Sequence, residues 1–345
     1  MPLLASRETL ETMRALLLLV LVLTACTTQP NAATSPTPSP TASATATPTQ
    51  TPTSSPTPSP APIPLPTIAQ LSAPSGTVVW AFVGGTRLFR SSDRGDTWVE
   101  RSTPPTLVST EISFADDRNG LLLSTGNATS DCQTQTVLIG KTVDGAATWQ
   151  RVEATGIADA MCKQGLVSVD STHALLTAWS QNNRAVIYRT ADAGQSWQAS
   201  TALPDPPGFT TQGGIALVPG RPKAFGPVVL LVAADNRQQG KYVFRSTDNG
   251  ATWSFASKIP SFEGGVAFVT QSRWLELTAP GQSQETTDAG ASWHTASSDY
   301  SQAAPTAPEV VFGDAMVGYA TVRGSIQRTT DGGTHWITIK TPGTV

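Results

Sequence analysis

One eight-residue string recurs six times along this chain and constrains its fold more than any other feature. The string is Ser/Thr-x-Asp-x-Gly-x-x-Trp, and in every copy the tryptophan follows the aspartate by five residues. The aspartates of the six copies are Asp93, Asp144, Asp192, Asp248, Asp288 and Asp331. They lie 51, 48, 56, 40 and 43 residues apart, and six of the nine tryptophans belong to the copies. This regular spacing indicates an array of repeated structural units.

The composition of the string is that of a tight turn between two strands. An aspartate side chain accepts hydrogen bonds from the amides of its own loop, and glycine adopts the positive φ that closes such a turn. The tryptophan then covers the hairpin with a large apolar side chain. In the second copy the glycine, Gly145, stands one place early. We therefore interpret the six aspartates as structural, with a turn-fixing role and not a catalytic one.

Short strand patterns surround each copy. Around the last copy they are 309–312, 317–322, 325–330 and 336–339, and the same order of four fits the third copy. Four strands in roughly 45 residues is the pattern of a propeller blade. The first unit is complete if its inner strand is 68–71. Residues 67–345 therefore predict an all-β propeller of six four-stranded blades, with seven as the alternative. The longest interval, 56 residues, is interpreted as a loop insertion at 203–208.

The repeated string resembles the Asp-box, or BNR repeat. Within Asp-box propellers, the longer phrase Phe-x-Asp…Gly-x-x…Thr-x-Asp-Gly-Gly-x-x-Trp resembles the photosystem II stability/assembly factor family and sortilin-like propellers. Phe312, Gly318, Asp331, Gly333 and Trp336 carry the phrase here. The resemblance implies the fold. It leaves function open, because sialidases, xyloglucan-cleaving enzymes, sortilins and assembly factors all share the repeat.

The first 26 residues are predicted to be an export signal. Arg14 precedes an apolar stretch at 15–23, which is too short to span a bilayer and suits the central part of a signal peptide. The stretch ends in Leu-Thr-Ala-Cys, which resembles a bacterial lipobox and implies that Cys26 carries a lipid. We expect an exported protein that is anchored to the outer face of the cell membrane, or to the outer membrane if the cell has one. Translation is expected to start at Met1 or at Met13.

Residues 27–66 are predicted to be a disordered linker. They contain no charged residue and 12 of the 27 prolines, and most of the others are Thr, Ser and Ala. Such a segment lacks the apolar surface that would offset chain entropy. Repeated proline favours polyproline II, which makes a semi-rigid spacer. The predicted organisation is a signal at 1–26, a linker at 27–66 and a propeller at 67–345.

Any ligand site is expected on the face formed by the loops between second and third strands and by the links between blades. The side chains predicted there are Arg184, Arg237, Arg323 and Tyr300. Three arginines and a tyrosine are also what a sialidase needs, but the Arg-Ile-Pro motif of that family is absent. The three histidines have no metal-ligand spacing, so no metal and no cofactor are predicted. The net charge of −3 argues against nucleic acid as a partner.

A disulfide is predicted between Cys132 and Cys162. Export places both in a compartment where disulfides form, and Cys26 is consumed by the lipid. In the blade scheme, Cys132 falls in the loop between the second and third strands of blade two. Cys162 falls in the link to blade three, on the same face.

The function that these features favour is a non-catalytic module that binds a protein or a glycan outside the cell, held by a lipid anchor. Two alternatives stay open. One is a cell-surface glycosidase of sialidase type, and the other is an assembly or stability factor for a membrane complex.

Overall fold

The computed structural model describes residues 60–64, 68–104, 107, 111–278, 281–300, 309–322 and 324–345. The chain divides into two units, Met1–Pro58 and Ser59–Val345. The predicted signal, Cys26 and nearly all of the predicted linker lie outside the described residues. So do Arg323 and most of the link between blades five and six. No helix within the described residues is long and apolar enough to cross a membrane.

The second unit is a six-bladed β-propeller of antiparallel sheets, as predicted. The innermost strands of blades one to six are β1 (Ala69–Ser72), β5 (Glu111–Phe114), β9 (Cys162–Ser168), β13 (Leu217–Pro219) continued by β14 (Lys223–Phe225), β18 (Gly265–Phe268) and β22 (Val310–Phe312). The second strands are β2 (Val79–Val83), β6 (Gly120–Thr125), β10 (Ala174–Trp179), β15 (Val228–Asp235), β19 (Trp274–Leu277) and β23 (Gly318–Val322).

The third strands are β3 (Arg87–Ser91), β7 (Val137–Thr142), β11 (Val186–Thr190), β16 (Lys241–Ser246), β20 (Gln284–Thr286) and β24 (Ser325–Thr329). The outermost strands are β4 (Val99–Arg101), β8 (Gln150–Val152), β12 (Gln198–Ala199), β17 (Ser254–Lys258), β21 (His294–Thr295) and β25 (Ile337–Ile339). The 56-residue interval contains a long link between β12 and β13, which includes 203–208, and holds no additional blade.

The core lies between blades. Six clusters of buried apolar side chains are present, and each combines residues from two neighbouring blades. Between blades one and two, for example, the rings of Trp80 and Phe114 stack with centroids 3.6 Å apart. Trp149, which belongs to the repeated string, meets the edge of Phe114 at 6.1 Å. The regular apolar positions of the repeat therefore serve to pack each blade on the next.

The six repeated strings form equivalent turns, which we call the aspartate turns. In each turn, a buried Ser or Thr lies two residues before the aspartate, and its hydroxyl donates a hydrogen bond to Oδ1 of that aspartate. The same hydroxyl oxygen accepts a hydrogen bond from the N–H of the second residue after the aspartate. Oδ1 also accepts the N–H four residues on. In the fourth turn, hydrogen bonds from the hydroxyl and N–H of Thr252 and from the Ser246 hydroxyl lower the pKa of Asp248 to about 2. These carboxylates are thus committed to their turns.

The displaced glycine of the second copy has a simple explanation. In every aspartate turn, both residues that follow the aspartate have positive φ. The second copy places Gly145 at the first of these positions, with φ 71°, and Ala146 at the other, with φ 61°. One glycine at either position reduces the strain of the left-handed pair, so the early glycine preserves the turn.

The aspartate turns and the connections between first and second strands lie at the same end of the propeller, which we call the turn face. The N–H immediately after each aspartate donates to a carbonyl of the connection in its own blade, as in Arg94 to Thr77 and Ala193 to Thr172. The opposite end is the loop face. It carries the connections between second and third strands and the links between blades.

The ring closes between blades one and six without a shared sheet. Arg328 of blade six donates to Oδ1 of Asp96 at 2.6 Å and to the carbonyl of Arg94 at 2.7 Å. Near the loop face, the N–H of Ile63 donates to the carbonyl of Gly343 at 2.8 Å. Residue 63 was predicted to lie in the disordered linker. Its side chain packs instead against the core between blades one and six, because Ile63 and Leu65 are the two large aliphatic residues of that segment.

The turn hydroxyls offer a direct test of the repeat. Replacing Thr329 by valine is expected to lower the free energy of unfolding by about 1–3 kcal/mol, because the buried N–H of Gly333 loses its acceptor at 2.9 Å. Thermal or urea unfolding measures the loss. The matched control is Thr338→Val on the exposed side of β25. Equal effects of the two substitutions would contradict a structural role for the turn hydroxyl.

Candidate functional site

The inner strands surround a central channel, and blade four is irregular where it borders that channel. Both β13 and β14 pair with β15, in registers Pro219 with Ala233 and Lys223 with Leu230. Three residues therefore stand between the two pairs on one side, and two on the other. The extra residue makes this segment, Gly220 to Pro222, a β-bulge. The bulge interrupts the inner strand at mid-height, so that Arg221 projects into the channel.

Arg221 bridges the channel to three other blades. Its Nη1 donates to the Leu71 carbonyl of blade one at 2.9 Å and to Oε1 of Glu309 at 2.6 Å. Its Nη2 lies 3.8 Å from Oε2 of Glu111 in blade two. One guanidinium thus neutralises two glutamates from different blades. All three side chains are largely enclosed, with 22% of Arg221, 26% of Glu309 and 16% of Glu111 exposed.

Both glutamates also hold neighbouring inner strands. Glu111 accepts the N–H of Gly165 and of Leu166, each at 2.9 Å, and Glu309 accepts the N–H of Leu71 at 2.9 Å. Burial raises the pKa of Glu309, and the charge of Arg221 opposes that effect. The two carboxylates are therefore elements of the ring as well as partners of the arginine.

A cavity of about 420 Å³ lies beside Arg221, lined mostly by blades four, five and six and also by a few residues of the other three blades. Much of its wall is apolar and includes Val167, Val266 and Phe268. Lys223 and Lys241 supply cationic side chains. The Nζ of Lys223 donates to the carbonyl of Phe312 at 2.8 Å, and burial lowers its pKa. We call this space the channel cavity.

Lys241 forms a buried pair at the edge of the channel cavity. Its Nζ donates to the carbonyl of Gly264 and lies 3.9 Å from Oε1 of Glu276, whose side chain is fully enclosed. Burial lowers the pKa of Lys241 to about 8 and raises the pKa of Glu276. Within the part of the chain that the structure describes, Oε1 of Glu276 has no hydrogen-bond donor. The pair is polar and incompletely satisfied, next to a mostly apolar space.

The loop face carries the disulfide, as predicted. Cys132 and Cys162 are bonded, and their Cα atoms lie 4.9 Å apart. Backbone hydrogen bonds from Met161 to Gln133 and from Gln135 to Asp159 join the same two segments. The structure corrects one detail. Cys162 is the first residue of β9 and not part of the link, because the inner strand extends five residues further toward the loop face than its apolar pattern indicated.

Of the predicted ligand-binding side chains, the three that the structure describes are engaged at separate places. Arg184 pairs with Asp205 at 2.7 Å, and Arg237 pairs with Asp235 at 2.8 Å. Tyr300 is a correction: it is fully buried between blades five and six, where its ring meets Trp336 at 5.5 Å. Burial raises its pKa. The hydroxyl therefore does not reach the loop face, and Arg323 lies outside the described residues.

Sequence patterns had not pointed to Arg221 or Lys241. The one local signal for Arg221 is the sequence Gly-Arg-Pro at 220–222 within an otherwise apolar strand pattern, because Pro and Gly mark bulges in strands. Among the described residues, no group of three His, Cys, Asp or Glu side chains is placed to hold a metal ion.

Comparison with known proteins gives a fold and several functional classes. No family model matches the chain. A xyloglucanase from Paenibacillus sp. is 30% identical over 168 residues, which cover 47% of this chain and 14% of the xyloglucanase. The match thus spans about one seventh of that enzyme's length.

Three solved structures are similar at low identity. AofleA from Arthrobotrys oligospora is 14% identical, with 80% of this chain and 88% of AofleA covered and a TM-score of 0.51. The Hadza microbial sialidase Hz136 is 13% identical, with 81% and 66% covered and a TM-score of 0.50. YCF48 bound to a D1 peptide is 17% identical, with 80% and 82% covered and a TM-score of 0.46. AofleA and the sialidase, with TM-scores of at least 0.50, support the propeller fold at these identities and leave its activity open.

Proposed function

We propose that this chain is a non-catalytic binding module that holds a segment of a protein partner in the channel cavity. The observation that carries the proposal is the character of that cavity: it is large enough for several side chains and mostly apolar, and Glu309 in its wall is engaged by Arg221. Aliphatic walls suit peptide side chains. A glycan is the second class of ligand that we propose for the channel cavity. An assembly factor for a membrane complex would bind its partner in the same cavity.

A glycosidase is the competing proposal, and the xyloglucanase match favours it. Acid and base catalysis by two carboxylates requires that one be free to give up a proton and the other to accept one. Glu309 has the raised pKa of an acid. Its oxygens, however, accept from Arg221 and from the N–H of Leu71, and Tyr300 is fully buried between blades five and six. These contacts support binding over hydrolysis.

Peptide selection on the full mature chain tests the binding proposal. A displayed library of extended peptides should yield binders, and Val167→Trp should weaken them at least tenfold, because Val167 lines the channel cavity and belongs to none of the core clusters. The matched control is Val99→Trp on exposed β4, which should bind normally. Selected peptides that tolerate Val167→Trp would overturn the assignment of the cavity.

Enzyme assays separate the two proposals. A fluorogenic sialoside and xyloglucan oligosaccharides should remain uncleaved by the wild-type chain. Turnover that is lost in Glu309→Gln, with the melting temperature retained, would replace the binding proposal with the glycosidase.

We also propose export and a lipid anchor at Cys26, supported by the signal-like segment and the lipobox-like Leu-Thr-Ala-Cys. Cys26→Ala is expected to move the protein from the membrane fraction to the soluble fraction, or to retain the uncleaved precursor, while the propeller still folds. Fractionation, metabolic labelling with a fatty acid and limited proteolysis measure these outcomes. A wild-type chain without fatty-acid label, or a cleaved Cys26→Ala chain that stays in the membrane fraction, would contradict the anchor.

A further inference from the structure

Blade four differs from the other five on the turn face. The connections between first and second strands span residues 73–78, 115–119, 169–173, 269–273 and 313–317 in the other blades, but only residues 226–227 in blade four. In each longer connection a Ser, Thr or Asp side chain accepts two backbone N–H groups, as Asp170 does from Thr172 and His173. Gly226 and Pro227 provide no such turn.

The short connection leaves the neighbouring groove open. Between blades two and three, the connection 169–173 lies against β7 and leaves a space of about 10 Å³. Between blades three and four, the equivalent space is about 270 Å³. We call it the turn-face cavity. It is lined by Leu175 and Val229, which are buried, and by polar side chains that include Arg189, Gln198 and Asn249.

Arg189 is left without a partner in the next blade. It precedes the turn hydroxyl of blade three, and arginines occupy the equivalent place in blades one, four and six. Those three donate across their grooves, Arg90 to Asp117, Arg245 to Gln271 and Arg328 to Asp96. Arg189 makes one side-chain hydrogen bond, at 3.5 Å, to Gln198 on its own blade. Its buried Nε has no acceptor among the described residues, as is also true of Arg90 and Arg328, so the missing contact across the groove is what sets Arg189 apart.

The other charged groups around the turn-face cavity are already engaged. Both oxygens of Asp192 accept hydrogen bonds within its turn. His173 pairs with Asp170 at 2.8 Å. The unmatched charge is therefore the guanidinium, and the group that suits it best is a carboxylate, which it can bind through two parallel hydrogen bonds.

We propose that the turn-face cavity binds the carboxylate of a single acidic sugar unit, a hexuronic acid, with Arg189 as its anchor. The volume is just below the range of about 300–1,000 Å³ for drug-sized ligands, and it accommodates one sugar ring. The apolar face of the ring packs on Leu175 and Val229. The amides of Gln198 and Asn249 face the ring hydroxyls, and the hydroxyl of Ser196, which donates to Asp192, can accept a hydrogen bond from them. The site lies on the face opposite the loop face and stands independently of the proposed function.

Titration with glucuronate and galacturonate tests this site, with their neutral methyl esters as ligand controls. Binding is followed by protein chemical shifts or calorimetry on the full mature chain. One or both uronates should bind with millimolar affinity or better, and the esters at least tenfold more weakly. Arg189→Gln should weaken the binding at least tenfold. Arg245→Gln, the equivalent change in blade four, should leave it unchanged.

Three outcomes overturn the proposal. They are the absence of saturable uronate binding by a folded wild-type chain, uronate binding that Arg189→Gln does not weaken, and a preference for a glutamate-containing peptide over both uronates. Arg189→Lys distinguishes a bidentate contact from simple charge attraction, because it keeps the charge and loses the planar fork. Partial loss of affinity in that variant supports the bidentate contact, and full retention contradicts it.

Discussion

Arg221→Met is expected to lower the free energy of unfolding by about 3 kcal/mol at neutral pH. The substitution leaves Glu309 and Glu111 charged and enclosed without their cation, and breaking one side of a buried ion pair costs about 3–5 kcal/mol. The lower end applies because the three side chains keep 16–26% of their exposure. Urea unfolding of the mature chain measures the loss. Arg184→Met, which removes an exposed ion pair, should change stability by less than about 1 kcal/mol.

The loss of unfolding free energy in Arg221→Met should depend on pH in a defined direction. Burial raises the pKa of Glu309 in the folded state, and removal of Arg221 raises it further. A carboxyl whose folded pKa lies above its unfolded pKa destabilises the protein when the pH is high enough to ionise it. The deficit of Arg221→Met should therefore shrink as the pH falls from neutral through the raised pKa. Adding Glu309→Gln should recover part of it at neutral pH. A deficit that is constant with pH and insensitive to Glu309→Gln would contradict the charge bridge.

The architecture could be predicted from the sequence because the repeat encodes it locally. Each aspartate turn contains its own acceptors, donors and positive-φ positions within a few residues. Six copies at similar spacing then fix both the number of blades and the face on which the turns lie. The early Gly145 shows the limit of this information: the motif alone does not reveal that two consecutive residues need positive φ.

The candidate sites could not be predicted in the same way, because they occur where blade four departs from the repeat. Arg221 reaches Leu71 across 150 positions of sequence, and its position depends on a one-residue bulge that no spacing rule marks. The turn-face cavity exists because the connection at 226–227 is short. Tyr300 was expected on the loop face since it falls in the link between blades five and six, but its ring is buried against Trp336 of the next blade. The bulge, the short connection and the burial of Tyr300 are all features that the repeated string does not encode.

Removal of the disulfide should cause the second large loss of unfolding free energy. Replacing both Cys132 and Cys162 by alanine is expected to lower the free energy of unfolding by about 3–4 kcal/mol, the value for the loop of roughly 30 residues that the bond closes in the unfolded chain. The double variant avoids the single free thiol that either substitution alone would leave. Thiol titration of the denatured, unreduced mature protein should find neither cysteine free. Two reactive thiols would contradict the bond.

The position of the disulfide makes its effect separable from that of the turns. It joins the segment before β7 to the first residue of β9 at the loop face, and the hydrogen bonds from Met161 and Gln135 hold the same segments. Thr329 lies in a turn of blade six at the opposite end. Distant sites without shared partners have additive effects to within about 0.5 kcal/mol. The disulfide variant combined with Thr329→Val should therefore lose the sum of the two separate deficits. A loss clearly smaller than the sum would mean that the blades unfold in separate steps and that the ring does not behave as one cooperative unit.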